Sequence, residues 1–176
     1  AADLGGIQGL YRHQLEAITH IQAGHNTVVA TPTASGKSLI YTLPIVQSLM
    51  ADPATRALCL FPLKALAQDQ LKTLEQMRPQ LPEPLASTLR ALIYDGDTTA
   101  YFRKKIREYP PAILITNPDM LHLSLLPYHH QWAHFFAGLK YVVIDEMHTY
   151  RGVFGSHVAW VLRRLKRICT LYGADP

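Results

Sequence analysis

At 176 residues the chain has the length of one domain, and 48% hydrophobic residues supply a sizeable core, so neither a disordered tail nor two independent domains is expected. A formal net charge of +4 leans towards polyanionic partners without requiring them, since Lys and Arg scattered over an ordinary surface give the same total. Cys59 and Cys169 lie far apart without metal-ligand spacing, which excludes a disulfide framework and fits buried thiols in a reducing, cytoplasmic setting; no stretch approaches the roughly 18 consecutive apolar residues of a membrane span.

The chain begins Ala-Ala-Asp-Leu-Gly-Gly, with neither initiator Met nor basic leader, so a fragment of a longer protein is expected. Leu15, Ile18 and Ile21 share one helical face and Gly24 follows, which predicts an amphipathic helix from Tyr11 to Ile21. A first strand is expected over Asn26 to Ala30, then a helix from Lys37 to about Met50 with a kink at Pro44. Arg56 to Phe61 reads as a second strand closed by Pro62, Lys64 to Met77 as a helix, and Arg78 to Pro84 as a Pro-rich linker. Leu89 to Tyr94 is a third strand. Asp95-Gly96-Asp97 is a turn signal, with Thr98 or Thr99 in position to cap a basic helix running through Arg107.

Ala112 to Thr116 is a fourth strand, and Asn117-Pro118 starts a short helix ending near Leu126. An aromatic segment follows, then a fifth strand over Tyr141 to Ile144 and a last helix from about Val153 to Tyr172. Five short apolar strands alternating with helices predict a doubly wound α/β domain: a mostly parallel sheet with helices on both faces.

The stretch Ala30 to Ser38, Ala-Thr-Pro-Thr-Ala-Ser-Gly-Lys-Ser, stands between expected strand and expected helix, which is the context of a phosphate-binding P-loop. Gly36 lets the chain turn sharply, so that successive N–H groups through Thr33, Ala34, Ser35 and Gly36 point into one anion nest at a helix N-terminus. Lys37 supplies a cation for the β- and γ-phosphates of a nucleotide, which the resemblance below implies is ATP, and Ser38 a hydroxyl for Mg²⁺. Thr31 stands where the strict pattern has Gly. The fifth strand ends in Asp145-Glu146, two acids at the mouth of a sheet: Asp145 suits Mg²⁺ and Glu146 the activation of a water.

With both motifs in hand, Asp145-Glu146-Met147-His148 resembles the DExH box of superfamily 2 helicases. The resemblance extends over nearly the whole chain and implies a P-loop, RecA-like first motor domain spanning residues 1–176. Tyr11-Arg12-His13-Gln14 is similar to the Q-motif, in which Gln14 would read the adenine edge while Tyr11 or Arg12 flanks the base. Pro62, Lys64, Ala65 and Gln68 fall in a segment resembling motif Ia, and Thr116, Asn117 and Asp119 in one resembling motif Ib; both touch the nucleic-acid strand in the family. Gly96, Asp97 and Thr98, followed by Arg103, Lys104 and Lys105, would add to that track, although an ordinary turn and solvated helix face explains them equally well.

The segments Tyr94 to Thr98, Leu114 to Leu123 and His148 to Leu165 look like those of bacterial mitomycin-repair helicases and their RecQ-like eukaryotic relatives. That likeness implies a role in DNA repair and DNA rather than RNA as partner. It also implies a second RecA-like domain carrying arginine fingers, a C-terminal cysteine cluster that binds metal, and a role for His148 in relaying state to the second domain. The family's motif III strand, which lies between the P-loop strand and the DExH strand, would fall beyond Pro176, so an incomplete central sheet is expected. An RNA helicase domain, or a module that binds nucleotide and docks nucleic acid without hydrolysis, is the alternative. His130 and His134 have zinc-helix spacing but lack a Glu between them, and Trp132, Phe135 and Phe136 read as core.

Overall fold

Runs of apolar residues with no room for a polar alternation build the sheet. The computed structural model describes residues 9–31 and 36–176. Its four strands are β1 (Arg56–Leu60), β2 (Ala91–Ile93), β3 (Ile113–Thr116) and β4 (Leu139–Ile144), all paired in parallel in the order β2-β3-β1-β4. The helices are α1 (Arg12–Gln22), α2 (Lys37–Ala51), α3 (Lys64–Met77), α4 (Leu85–Thr88), α5 (Ala100–Glu108), α6 (Pro118–Met120), α7 (Ala133–Ala137) and α8 (Gly152–Leu171). No helix among the described residues is long and apolar enough to cross a membrane.

Because side chains alternate along a strand, the sheet divides its residues between two cores. Leu58, Leu60, Leu114, Val142 and Ile144 face a cluster with Trp132, Phe135, Phe136 and the inner face of α8. Ala57, Cys59, Ile113, Ile115 and Val143 face the opposite cluster, with Ile45, Val46 and Leu49 of α2 and Ala67 and Leu74 of α3. Ala57, Leu58, Cys59 and Leu60 are at most 1% exposed, as a strand covered on both faces must be. Each fully buried leucine among them contributes about 1.5–3 kcal/mol. The expected doubly wound architecture is therefore present, and Trp132, Phe135 and Phe136 are core residues with no exposed surface.

A bulge sets the register of β4. Arg56 pairs with Leu139 and Ala57 with Tyr141, leaving Lys140 as the extra residue. Gly138 just before it packs so closely that a Cβ there would lie 2.2 Å from the Ala54 carbonyl oxygen, and the Arg56 N–H donates to the Gly138 carbonyl at 2.7 Å.

Several expectations need correction. The first strand expected over Asn26 to Ala30 does not form: the segment is β-branched but pairs with no strand among the described residues, and Val28 is 76% exposed. Among the described residues the sheet accordingly has four strands rather than five, and β4 has no strand on its outer side. Between β4, α2 and residues 26–29 lies an open cleft of about 770 Å³. The Pro-rich linker contains a 3-10 turn at Arg78–Gln80, with the helical turn α4 following it. The helix expected from Asn117 to Leu126 breaks into α6 and a π-helical turn, Leu121–Leu125.

Candidate nucleotide and strand-contact site

Lys37 and Asp145 line the same cleft, although 108 positions of sequence numbering separate them. Lys37 opens α2 directly after Gly36, whose φ of 71° is the left-handed conformation that glycine adopts without strain. The Lys37 ammonium donates to the Thr31 carbonyl at 3.1 Å, which holds it across the loop. Thr33, Ala34 and Ser35 lie outside the described residues.

Gln14 braces this corner. Almost fully buried, it accepts at Oε1 from the Tyr11 N–H and donates from Nε2 to the Gly36 carbonyl. A Cβ on Gly36 would lie 2.5 Å from Gln14 Nε2 and displace the amide from its bond to the Gly36 carbonyl, while the φ itself favours glycine. Tyr11 is exposed and stacks its ring on His13, and Arg12 pairs with Glu16 at 2.8 Å on the surface.

Beneath the loop, burial raises the Tyr41 hydroxyl above its ordinary range. The Cys59 and Asp145 charges act in the same direction, and a hydrogen bond with Ser38 opposes them. Tyr41 also donates to Gln70 Oε1 at 3.1 Å, joining α2 to α3.

β4 delivers the two acids. The Asp145 N–H donates to the Leu60 carbonyl at 3.0 Å, carrying the ladder one residue past the strand. Asp145 Oδ1 accepts from the Glu146 N–H at 2.8 Å, and Glu146 sits at φ 48°, ψ 38°, left-handed for a residue with a Cβ. Such a conformation costs about 1–2 kcal/mol and turns the acid out of the strand direction. His148 Nδ1 lies 3.3 Å from Glu146 Oε2, so the expected base and the expected relay are in contact.

The strand-contact candidates cluster at the ends of β1, β2 and β3. Lys64 opens α3 and pairs with Asp97 at 2.5 Å, and Ala65 and Gln68 are exposed on the same helix behind half-buried Pro62. Asp95 Oδ1 accepts from the Asp97 and Thr98 N–H groups and the Thr98 hydroxyl, which makes an Asx turn with exposed Gly96 at its tip. Thr98 thus belongs to the turn, and Thr99 caps α5 by accepting from the Phe102 N–H. The Thr116 hydroxyl donates to the Tyr94 carbonyl at 2.5 Å and is buried, so its side chain locks β3 to β2. Asn117 caps α6 by accepting from the Met120 N–H, and Asp119 is exposed.

Two roles are not apparent from the sequence alone: that of Arg103, expected only as part of a basic track, and that of Tyr150. Arg103 donates to the carbonyls of Asp95, Gly96 and Thr98 and lies over the Tyr94 ring. The Tyr150 hydroxyl is buried without a hydrogen-bond partner among the described residues; burial, then the charges of Asp145 and Asp119, push it up to about 12. It therefore senses an acid from each of two expected motifs. Its position after the DExH residues is the signal the sequence offers for it. His130 and His134 fall on a 3-10 turn and on α7 respectively, so one helix does not present them together.

Residues 11–174 match the DEAD/DEAH box helicase family. The chain is 53% identical over 171 residues to the uncharacterized ATP-dependent helicase YprA of Bacillus subtilis, covering 97% of this chain and 22% of that protein. It is 45% identical over 166 residues to ATP-dependent helicase HRQ1 of Saccharomyces cerevisiae, covering 92% of this chain and 15% of that one. The chain thus spans about a fifth or less of these relatives. The crystal structure of the DUF1998 helicase MrfA bound to DNA and AMPPNP superposes with a TM-score of 0.91 at 53% identity, over 97% of this chain and 23% of that chain. The DEAD-box helicase Mss116, at 20% identity and a TM-score of 0.76 over 92% of this chain and 33% of that chain, shares the fold. The chain belongs to the DEAD/DEAH box helicase family.

Proposed function

We propose that this chain is the nucleotide-binding motor domain of an ATP-dependent DNA helicase or translocase of the cytoplasm, acting in DNA repair. The observation that carries the reading is the single cleft shared by Lys37 and Asp145, one at a helix N-terminus and one at a strand end. Phosphate at the first and metal at the second is what that pairing offers.

Lys37 binds the β- and γ-phosphates, with the loop N–H groups of Thr33, Ala34, Ser35 and Gly36 around them. Ser38 and Asp145 present a hydroxyl and a carboxylate, oxygen donors that suit Mg²⁺; Asp145 keeps Oδ2 outside its bond to the Glu146 N–H. Mg²⁺ there would neutralise phosphate charge. Glu146 orients and deprotonates the attacking water, and His148, held against Glu146, reports the state of the site to a second RecA-like domain. Gln14 fixes the loop and offers its remaining N–H to adenine, with Tyr11 and Arg12 beside the base.

The strand runs over Pro62, Lys64, Ala65 and Gln68, over Gly96, Asp97 and Thr98, and over Thr116, Asn117 and Asp119. Such backbone contacts position a strand without reading its sequence. DNA is favoured because the MrfA relative was crystallised with DNA. The outer side of β4 would receive a further strand, and a second motor domain and a C-terminal metal-binding domain would complete the machine.

ATP turnover by the full-length protein, measured with single-stranded DNA, duplex DNA and RNA at one salt concentration, tests the reading. Stimulation by DNA is expected. Stimulation by RNA alone would make it an RNA motor, and nucleic-acid binding without turnover would make it a docking module.

A further inference from the structure

A second groove, of about 260 Å³, lies between α8 and the π-helical turn Leu121–Leu125 and shares no residue with the nucleotide cleft. Its chemistry is one-sided. Arg163, Arg164 and Arg167 line it together with His122 and His157, and α8 contains no Asp or Glu anywhere along its length. Among the described residues no ion pair engages any of these three arginines. The Arg164 guanidinium donates to His122 Nδ1 at 3.3 Å; since Arg never accepts, Nδ1 must, which leaves Nε2–H as the donor of that ring. The two imidazoles meet edge to face at 5.0 Å.

Trp160 stands at this rim, 63% exposed, with the Arg163 guanidinium 4.8 Å from its ring centroid. A large exposed indole among cations is poorly suited to a buried apolar contact and well suited to a flat, electron-rich ring on an anionic backbone. The π-helical turn that carries His122 continues directly from α6, whose cap is Asn117, so the groove adjoins the proposed strand track.

We infer that this groove holds an unpaired nucleotide of a nucleic-acid strand outside the strand track itself. The base stacks on Trp160 beside Arg163, and the flanking phosphates meet Arg164 and Arg167. A duplex cannot offer a base face to Trp160, so the site selects single-stranded over double-stranded nucleic acid. The inference rests on reading the chain as a nucleic-acid motor and adds an interaction which that reading does not contain.

The test is fluorescence anisotropy of a labelled single-stranded oligonucleotide, its duplex and a poly-glutamate peptide on the full-length protein, without nucleotide. Trp160→Ala and the double variant Arg164→Gln/Arg167→Gln are compared with wild type, with urea midpoints as a folding control. Trp160→Ala is expected to weaken single-strand binding about tenfold and duplex binding little. The double variant should lower the slope of log K against log salt by about 0.7 for each phosphate it no longer neutralises. Trp160→Phe should restore part of the affinity. Wild-type strand binding that survives Trp160→Ala unchanged would overturn this site and leave the motor reading standing, whereas absence of strand binding by wild type would overturn both. Preference for the poly-glutamate peptide over the strand would overturn it in favour of an acidic protein partner.

Discussion

Gln14 donates from Nε2 to the Gly36 carbonyl at 2.9 Å, and this one bond fastens the start of α1 to the N-terminus of α2. The other end of the same amide accepts from the Tyr11 N–H. Gln14→Glu keeps the acceptor and removes the donor, setting a carboxylate against a carbonyl oxygen in a buried position. A loss of about 1–3 kcal/mol in stability is expected from urea unfolding, with weakened ATP binding by calorimetry. Unchanged ATP affinity would mean that the brace does not shape the loop.

Glu146 is the proposed base, and its left-handed backbone already turns it away from β4. In the full-length protein Glu146→Gln should leave ATP affinity within a few-fold and reduce turnover by about 10²–10⁴, read by steady-state phosphate release. Unwinding that persists in this variant would refute the assignment.

Arg103 holds the Asp95 to Thr98 turn by three carbonyls, which no other side chain type reaches in the same planar fork. Arg103→Ala should cost about 1–3 kcal/mol and weaken strand binding, and Arg103→Lys should retain the charge without restoring stability. Equal rescue by lysine would show that charge alone matters there.

Burial, with the Asp145 charge adding to it, pushes the Cys59 thiol up to about 12 from an ordinary 9.0. Because the folded value is the higher one, the folded state keeps its proton where the unfolded state has lost it. The contribution is complete below pH 9.0 and is lost as pH rises towards about 12. Urea midpoints of wild type should therefore fall more steeply between pH 8 and pH 11 than those of Cys59→Ala. Burial also raises Cys169 to about 11, so neither thiol should react with a disulfide reagent before unfolding.

What the sequence made legible was local. Lys64 to Met77 is a helix with the expected ends because its apolar spacing and the flanking proline settle them without help from elsewhere. The strands that pair inside the sheet were readable for the same reason, as apolar runs closed by turn residues. Asn26 to Ala30 carries the same signal and forms no strand, because a strand exists only with a neighbour and pairing is decided by distant segments. The role of Arg103 was hidden in a basic run that reads as solvated surface. The Gln14 brace to Gly36 joins segments whose approach depends on how α1 packs on α2.

Among the described residues no strand covers the outer border of β4, which has a consequence for handling the domain. Its outward N–H and C=O groups pair with no strand among the described residues. A free strand margin of this kind recruits whatever extended chain reaches it first, including another molecule's. Lys140 and Lys166 beside the cleft oppose that by like-charge repulsion, which added salt screens. Raising the ionic strength should therefore promote association of the isolated domain through this margin at the same time as it loosens its hold on nucleic acid.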